Sequence, residues 1–488
     1  MRVDEYRKLD ATGLSELIKK RLTSKEEVLE AHFSMIDIHN TKLNAITRER
    51  RELAKKEAQL VEDNAPFAGV PILFKDISQA IKGEVLSSGS ALLQSKAEAN
   101  SAFVQSVLDQ GFIATGQTNT PEFGLKNITE PKAFGPTKNP INPAYSPGGS
   151  SGGAAAAVAS GIVPIAGASD GGGSIRIPAS FTGVFGLKPT RGRMPVGPAV
   201  GRQWQGAAID FVLTRSVRDS AAMLDHLQTY QPSAAFHTPK YEGVYTDLAE
   251  KKLPTLRIGF TTKSPVDTVV SQDAKDATFK LIKWLEAEGH EVTEATPPID
   301  GIDLMRHYYA MNSGEMNAVV MSLEQAFGRT LGKEDLEMES WLLHTAGKEL
   351  SAASYSNSLA AWDRASYDMT RYHHTYDLLI TPATANHAPK IGELTPSQAD
   401  YEEWAQRLMH AEDKQAIIYD MFLPSLTYTP FTQLANLTGQ PAASYPIYET
   451  TEGLPIGVQA IASKGREDLL LQLAYKLEES GLFGDSVG

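Results

Sequence analysis

The sequence has no cysteine among its 488 residues. This absence excludes disulfide bonds, thiolate nucleophiles and cysteine-ligated metal ions. The chain also lacks a run of about 18 apolar residues, which a membrane-spanning helix needs. Its N-terminal sequence, M-R-V-D-E-Y-R-K-L-D, contains no apolar segment of the kind found in signal peptides. We therefore expect a cytoplasmic protein that does not bind a membrane.

Basic residues are outnumbered by acidic ones. Lys and Arg together number 46 and Asp and Glu number 59, which gives a formal net charge of -13. A nucleic-acid partner usually requires a basic face, so we expect no such partner. The apolar fraction of 42% and the charged fraction of 22% are those of an ordinary globular protein.

Short apolar runs alternate with helical patterns along most of the chain, which indicates an α/β protein. The run 67–74 is bounded by turn residues and is typical of a buried strand, and further strands recur as far as residues 456–461. Because strands continue to the end, we expect a single domain over residues 1–488. Within it, residues about 231–255 are predicted to form a polar connection and residues about 303–376 a helical elaboration.

Residues 146–178 are rich in Gly, Ala and Ser and contain two serines flanked by glycines, Ser150 and Ser174. Glycine is favoured where the backbone takes a positive φ or approaches another group closely. These serines therefore suggest a nucleophile in a backbone cradle. The three glycines before Ser174 offer consecutive N–H groups, as an oxyanion hole requires. A tight turn explains the same glycines equally well at this point.

A serine hydroxyl needs a base before it can act as a nucleophile. The eleven histidines are scattered, and none lies in a constrained Gly/Ser/Asp context. Lys75 directly follows an apolar run, and a buried lysine can be neutral because burial lowers its pKa from ~10.4 toward ~7–8. The alternative is an ordinary ion pair with Asp76 at the end of a strand, which the spacing alone favours.

Taken together, these motifs resemble the amidase signature family. The resemblance runs from about residue 10 to about residue 480, with a signature core over about 65–220. It implies an α/β/α sandwich in which a large mixed central sheet is covered by helices. The matching segments are 69–76 (G-V-P-I-L-F-K-D), 148–153 (G-G-S-S-G-G), 170–179 (D-G-G-G-S-I-R-I-P-A), 186–190 (G-L-K-P-T) and 453–459 (G-L-P-I-G-V-Q).

The resemblance also implies hydrolysis of a carbon–nitrogen amide bond through a serine acyl-enzyme, with a Ser–cis-Ser–Lys triad. By position, Ser174 looks like the acylated nucleophile and Lys75 like the neutral base. Ser150 looks like the bridging serine, which follows a cis peptide bond in this family. Such an enzyme uses neither a cofactor nor a metal ion. The amides that look like the oxyanion hole are those of Gly171, Gly172, Gly173 and Ser174.

Three further residues are expected to support the site. Ser151 is expected either to bond Lys75 or to cap the following helix, with the bond to Lys75 favoured. Asp170 and Arg176 are expected to shape their loop as a structural pair rather than to touch substrate. The segment A-S-D at 168–170 stands where the family commonly has G-T-D, and it keeps a hydroxyl at the middle position.

Two functions stay open, a stand-alone amidase and an A-type subunit of a glutamine-dependent tRNA amidotransferase. Residues 117–124 (Q-T-N-T-P-E-F-G) resemble the stand-alone enzymes, and residues 341–394 resemble the branch that contains 6-aminohexanoate-cyclic-dimer hydrolase. The expected partner is a small-molecule amide, and a homodimer stays open. The residues expected to line the substrate pocket are Leu125, Tyr145, Asn312 and Trp341.

Overall fold

The structure is a computed structural model that describes residues 1–483. Eleven strands within this range join in a single sheet. In chain order they are β1 (Ile46–Glu49), β2 (Pro71–Lys75), β3 (Ile113–Thr118), β4 (Ile165–Asp170), β5 (Phe185–Lys188), β6 (Ile209–Thr214), β7 (Arg257–Phe260), β8 (Glu291–Glu294), β9 (Leu378–Pro382), β10 (Ala442–Glu449) and β11 (Pro455–Ala462).

Sixteen α-helices lie in the same described range and connect or flank the strands. They are α1 (Val3–Tyr6), α2 (Ala11–Lys19), α3 (Lys25–Leu43), α4 (Arg51–Ala58), α5 (Ala102–Leu108), α6 (Gly152–Ala159), α7 (Arg176–Thr182), α8 (Val217–Leu227), α9 (Gln272–Ala287), α10 (Gly301–Phe327), α11 (Met338–Gly347), α12 (Ala352–Thr375), α13 (Gln398–His410), α14 (Lys414–Tyr428), α15 (Gln433–Thr438) and α16 (Glu467–Glu479).

The sheet has the strand order β1-β3-β2-β4-β6-β5-β10-β11-β9-β7-β8. Strand β2 runs parallel to β3 and β4, and β7 runs parallel to β8 and β9. The remaining pairs are antiparallel. Helices α6, α7, α9 and α16 are among those that pack against the strands. This architecture confirms the predicted sandwich with a large mixed central sheet covered by helices.

Local sequence signals explain several of these elements. Every residue of β2 is buried, as expected for a parallel strand covered on both faces. Helix α3 begins with a capping box, in which the Ser24 hydroxyl accepts from the Glu27 amide and the Glu27 carboxylate accepts from the Ser24 amide. One apolar core lies along the sheet, and a second lies between α10, α11 and α14.

The strand predicted at 67–74 begins later in the structure, at Pro71. The preceding residues form a turn, in which the Val70 amide donates to the Phe67 carbonyl at 3.1 Å and Gly69 takes a φ of +75°. A left-handed φ favours glycine and is incompatible with an extended strand. The apolar run alone therefore overestimated the length of this strand.

Helices α10, α11 and α12 occupy the stretch in which the sequence predicts a helical elaboration. Residues 231–255 contain one short 3-10 helix, Thr246–Glu250, in otherwise irregular backbone. The single-domain organisation stays a prediction. None of the helices in residues 1–483 has the length and apolar character that crossing a membrane requires.

Candidate active site

The candidate site lies where two parallel strands end side by side. Strand β2 ends at Lys75 and β4 ends at Asp170. Parallel neighbours present their carboxyl ends at the same edge of a sheet. The glycine-rich segment 171–175 then leads into α7, and the segment 148–151 leads into α6. Both serine loops therefore lie close to the edge that carries Lys75.

The amine of Lys75 is fully buried and contacts two serine hydroxyls. Its Nζ lies 2.7 Å from Oγ of Ser150 and 3.0 Å from Oγ of Ser169. The alternative ion pair with Asp76 does not form, since that carboxylate pairs with Arg48 at 2.6 Å. The Lys75 amine is thus directed toward serine hydroxyls rather than toward a carboxylate at the end of the strand.

Burial has the largest influence on the protonation of Lys75. It lowers the pKa of this amine from its ordinary value of 10.5 to about 7, against smaller opposing effects of the Asp210 and Asp170 carboxylates. Asp210 is itself buried and accepts hydrogen bonds from Ser78 Oγ at 2.6 Å and from Gln203 Nε2 at 2.7 Å. A neutral fraction of Lys75 near pH 7 is what a general base at this position requires.

Lys75, Ser150 and Ser174 line one cavity of about 470 Å³. This volume is in the range of sites that bind small molecules. Ser150 is buried, whereas Ser174 is only half-buried. The peptide bond between Gly149 and Ser150 is cis, in agreement with the family pattern. No histidine of residues 1–483 is among the lining residues.

The Asp170 carboxylate organises the glycine loop that precedes α7. Its Oδ1 accepts from the Gly173 amide at 2.8 Å, and its Oδ2 accepts from the Ile175 amide at 3.1 Å. Arg176 donates to both oxygens, from Nη2 at 2.9 Å and from Nε at 3.0 Å, and both side chains are fully buried. Although burial alone would raise it, the Arg176 guanidinium holds the pKa of Asp170 well below its ordinary value. This pair therefore shapes the loop.

One of the four amides matched to the oxyanion hole is already engaged within the loop. Because the Gly173 amide donates to Asp170, it is not available to a substrate oxygen. Within residues 1–483, the amides of Gly171, Gly172 and Ser174 donate no hydrogen bond to the protein. All three of these residues line the cavity. The candidate oxyanion donors are thus three rather than four.

Ser151 does not bond Lys75, contrary to the favoured expectation, and its side chain does not cap α6 in the described structure. Its hydroxyl instead donates to the Ser169 carbonyl at 3.1 Å. The second hydroxyl at Lys75 belongs to Ser169 itself, because the parallel pairing of β2 with β4 brings that residue beside the end of β2. Ser151 thus ties its own loop to the backbone of β4.

Two of the four predicted pocket residues line the cavity, and two do not. Leu125 and Asn312 are lining residues. Tyr145 packs edge-on against His387, with ring centroids 5.9 Å apart, and Trp341 packs against the core between α10, α11 and α14. The side chains of Tyr145 and Trp341 are therefore committed to contacts outside the cavity.

The sequence motifs do not single out several other side chains that line the cavity. Tyr308 donates from its hydroxyl to the Gly171 carbonyl at 3.3 Å, and Trp204 donates from Nε1 to Asn312 Oδ1 at 2.6 Å. Helical patterning could have identified α10, but it does not show which of its faces meets the site. The further lining residues include Phe123, Val319, Leu323, Phe422, Leu426 and Gln433.

No group of three or more His, Cys, Asp or Glu side chains in residues 1–483 is arranged to hold a metal ion. The expectation that the protein needs neither a metal ion nor a cofactor stays a prediction.

A family model described as Amidase matches residues 27–471. The chain is 38% identical over 483 residues to a lipoamidase of Enterococcus faecalis, and it spans 98% of its own length but 64% of the length of that protein. It is 36% identical over 478 residues to the 6-aminohexanoate-cyclic-dimer hydrolase of Paenarthrobacter ureafaciens, with 96% and 94% covered. Fold, site and these matches define the class of this protein as an amide hydrolase. The chain belongs to the amidase family.

Solved structures agree with this assignment. A structure of 6-aminohexanoate cyclic dimer hydrolase complexed with substrate matches with a TM-score of 0.88 and 33% identity, covering 99% of this chain and 98% of that chain. A component of the glutamyl-tRNA(Gln) amidotransferase of Thermotoga maritima matches with a TM-score of 0.71 and 24% identity, covering 98% and 94%. The latter shows a shared fold alone. The resemblance to the amidase signature family and to the cyclic-dimer hydrolase branch is confirmed.

Proposed function

We propose that the protein hydrolyses the carbon–nitrogen bond of a small-molecule amide through an acyl-enzyme on Ser174. The observation that supports this proposal most is the 2.7 Å distance between Lys75 Nζ and Ser150 Oγ, in a cavity that Ser174 also lines. Burial lowers the pKa of Lys75 to about 7 and so supplies an amine that can accept a proton near neutral pH. This route requires no histidine.

In the acylation step, the Ser174 hydroxyl adds to the carbonyl carbon and forms the new carbon–oxygen bond. Its proton passes to Ser150 Oγ as Ser150 gives its own proton to the neutral amine of Lys75. The carbonyl oxygen becomes an oxyanion, to which the amides of Gly171, Gly172 and Ser174 donate hydrogen bonds.

Collapse of this intermediate breaks the carbon–nitrogen bond. The leaving nitrogen takes a proton from Ser150, which is reprotonated by Lys75, so that Lys75 is neutral again. Water then adds to the ester on Ser174 through the same relay and releases the carboxylic acid. The net reaction consumes one water for each amide bond and regenerates the serine.

A small fluorophosphonate tests the nucleophile before any substrate is known. We expect a single adduct in the intact mass, mapped to the peptide that contains Ser174. The Ser174→Ala variant should lose both the adduct and amide turnover, by about 10⁴-fold or more, because removal of the nucleophile disables the whole relay.

Ser160→Ala is the matched control. Ser160 is a buried serine at the end of α6, and its hydroxyl donates to the Ala157 carbonyl at 3.3 Å. This variant should keep the adduct and the turnover of the wild-type protein. An adduct on another residue, or normal turnover in Ser174→Ala, would refute the assignment.

The cytoplasmic location and the homodimer stay predictions from the sequence. The same holds for the small size of the amide substrate, which the volume of the cavity favours.

A further inference from the structure

The cavity beside Ser174 extends along α10 well beyond the reacting groups. Tyr308 marks its inner end, since the Tyr308 hydroxyl lies 3.3 Å from the Gly171 carbonyl oxygen. Val319 and Leu323, further along the same helix, line the same cavity. At about 1.5 Å of rise per residue, these two residues lie ~16 Å and ~22 Å from Tyr308 along the helix axis. The cavity is therefore elongated.

The walls of the extended part are apolar. Phe422 and Leu426 of α14 face the same space as α10, and Leu125 lines it from a turn. Leu125, Val319 and Leu323 are only half-buried in the protein. An apolar occupant would remove further surface of these side chains from water, which is favourable. We call this region, lined by Leu125, Val319, Leu323, Phe422 and Leu426, the apolar arm.

The cation on this part of the cavity wall is already compensated. The Lys126 ammonium lies 2.9 Å from Glu337 and 3.5 Å from Glu339, and all three side chains are buried. A charged group on the occupant would exchange water for an apolar wall, which costs free energy. The apolar arm thus favours an uncharged occupant.

We propose that the substrate is an amide with an extended, uncharged and largely apolar chain, which lies in the apolar arm along α10 and α14. This inference rests on the proposed function, because Ser174 defines the reacting end. At about 1.2 Å per bond, as in an extended backbone, the chain needs about a dozen bonds to reach Val319. The chain belongs either to the acyl group or to the amine, and the experiment distinguishes the two.

The test uses two series of amides of increasing length, at concentrations below micelle formation. One series varies the acyl group of p-nitroanilides from acetyl to dodecanoyl. The other varies the amine of N-alkylacetamides from ethyl to dodecyl, with the released amine detected by fluorescence. We expect kcat/KM to rise roughly threefold per methylene in one series and then to level off. A rise in the acyl series assigns the apolar arm to the acyl group, and a rise in the alkylamine series assigns it to the leaving amine.

A variant that fills the apolar arm makes the test specific. In Val319→Trp, the ratio of kcat/KM between the longest and the shortest substrate should fall at least about tenfold, since a larger side chain occupies the space of the occupant. Met321→Trp is the matched control. Met321 lies on the same helix, is 58% exposed and is not among the lining residues, so this variant should keep the wild-type ratio.

The outcomes separate this inference from the proposed function. Hydrolysis that does not depend on chain length in either series, or a wild-type ratio in Val319→Trp, would overturn the inference and leave amide hydrolysis standing. Fluorophosphonate labelling of Ser174 without turnover of any chain-bearing amide would also overturn the inference. Absence of both turnover and labelling in the folded protein would overturn the proposed function and the inference with it.

Discussion

The protonation of Lys75 is the single-residue property on which the proposed chemistry depends. Because burial lowers the pKa of Lys75 to about 7, the amine carries a proton below that pH and cannot take one from Ser150. We therefore expect kcat/KM to fall about tenfold per pH unit below the pKa and to level off above it. The pH profile thus reports directly on the environment of this amine.

Asp210→Asn is expected to shift the acid limb of this profile to lower pH. The Asp210 carboxylate raises the pKa of Lys75, in opposition to the larger effect of burial. Its replacement by a neutral amide favours the neutral amine, so that the base stays active in more acidic solution. The measurement is kcat/KM against pH for one amide substrate in both proteins.

The control for this shift is Asp303→Asn. Asp303 is an exposed carboxylate in the first turn of α10, and its removal should leave the acid limb unchanged. An acid limb that stays in place or moves to higher pH in Asp210→Asn would contradict the assignment of Lys75 as the base.

Among the elements, the glycine loop between β4 and α7 depends on one buried ion pair. Arg176→Met leaves the fully buried Asp170 carboxylate without its guanidinium. Loss of one partner of a buried pair typically lowers the free energy of unfolding by about 3–5 kcal/mol. Because the same carboxylate holds the Gly173 amide, we also expect loss of turnover. Thermal unfolding and turnover measure the two effects.

The matched control for Arg176→Met is Arg329→Met. Arg329 pairs with Asp335 at 2.6 Å, but its side chain is half-exposed at the surface. Exposed ion pairs contribute little to stability because water screens them, so this variant should unfold like the wild-type protein. Wild-type stability and turnover in Arg176→Met would show that the buried pair does not hold the loop.

Across the whole molecule, the loop is supported by residues distant in the sequence. Asn436 of α15 donates from Nδ2 to Asp170 Oδ1 at 2.8 Å and to the Ala207 carbonyl at 2.9 Å. Arg176 donates to Asn436 Oδ1 at 2.7 Å and to Gln459 Oε1 of β11 at 2.5 Å. The C-terminal part of the chain therefore completes the site that the first serine loops begin.

Asn436→Leu is expected to lower kcat by up to about 100-fold, because the loop that carries Ser174 loses its support and moves. The buried acceptors that Asn436 satisfies are left without a donor, which costs about 1–3 kcal/mol each in stability. The measurement is kcat on the folded fraction, together with the midpoint of thermal unfolding.

Gln440→Leu separates a local effect on the loop from general destabilisation. Gln440 is buried nearby and donates to the Ala462 carbonyl at 3.0 Å, without contacting the loop. Its replacement should lower stability but keep kcat. An equal loss of kcat in both variants would mean that the support of the loop by Asn436 has no special role.

Prediction from the sequence succeeded where a short segment carries its own signal. Ser24 and Glu27 show a capping box before α3, and the predicted strand at 456–461 lies within Pro455–Ala462. Strand β10 and helices α13 and α14 are not identified, and α14 even contains Pro424. Their sequences lack clear caps or alternation, so tertiary packing determined them.

The sequence by itself determined the family, the α/β class and the serine and lysine types at the site, because these depend on motifs that lie within a few residues of each other. The tertiary structure decided which hydroxyl meets Lys75, since the pairing of β2 with β4 brings Ser169 rather than Ser151 beside it. It also decided the burial that lowers the pKa of Lys75 and the elongated cavity along α10. Burial and cavity shape arise from elements far apart in the chain, and no local pattern encodes them.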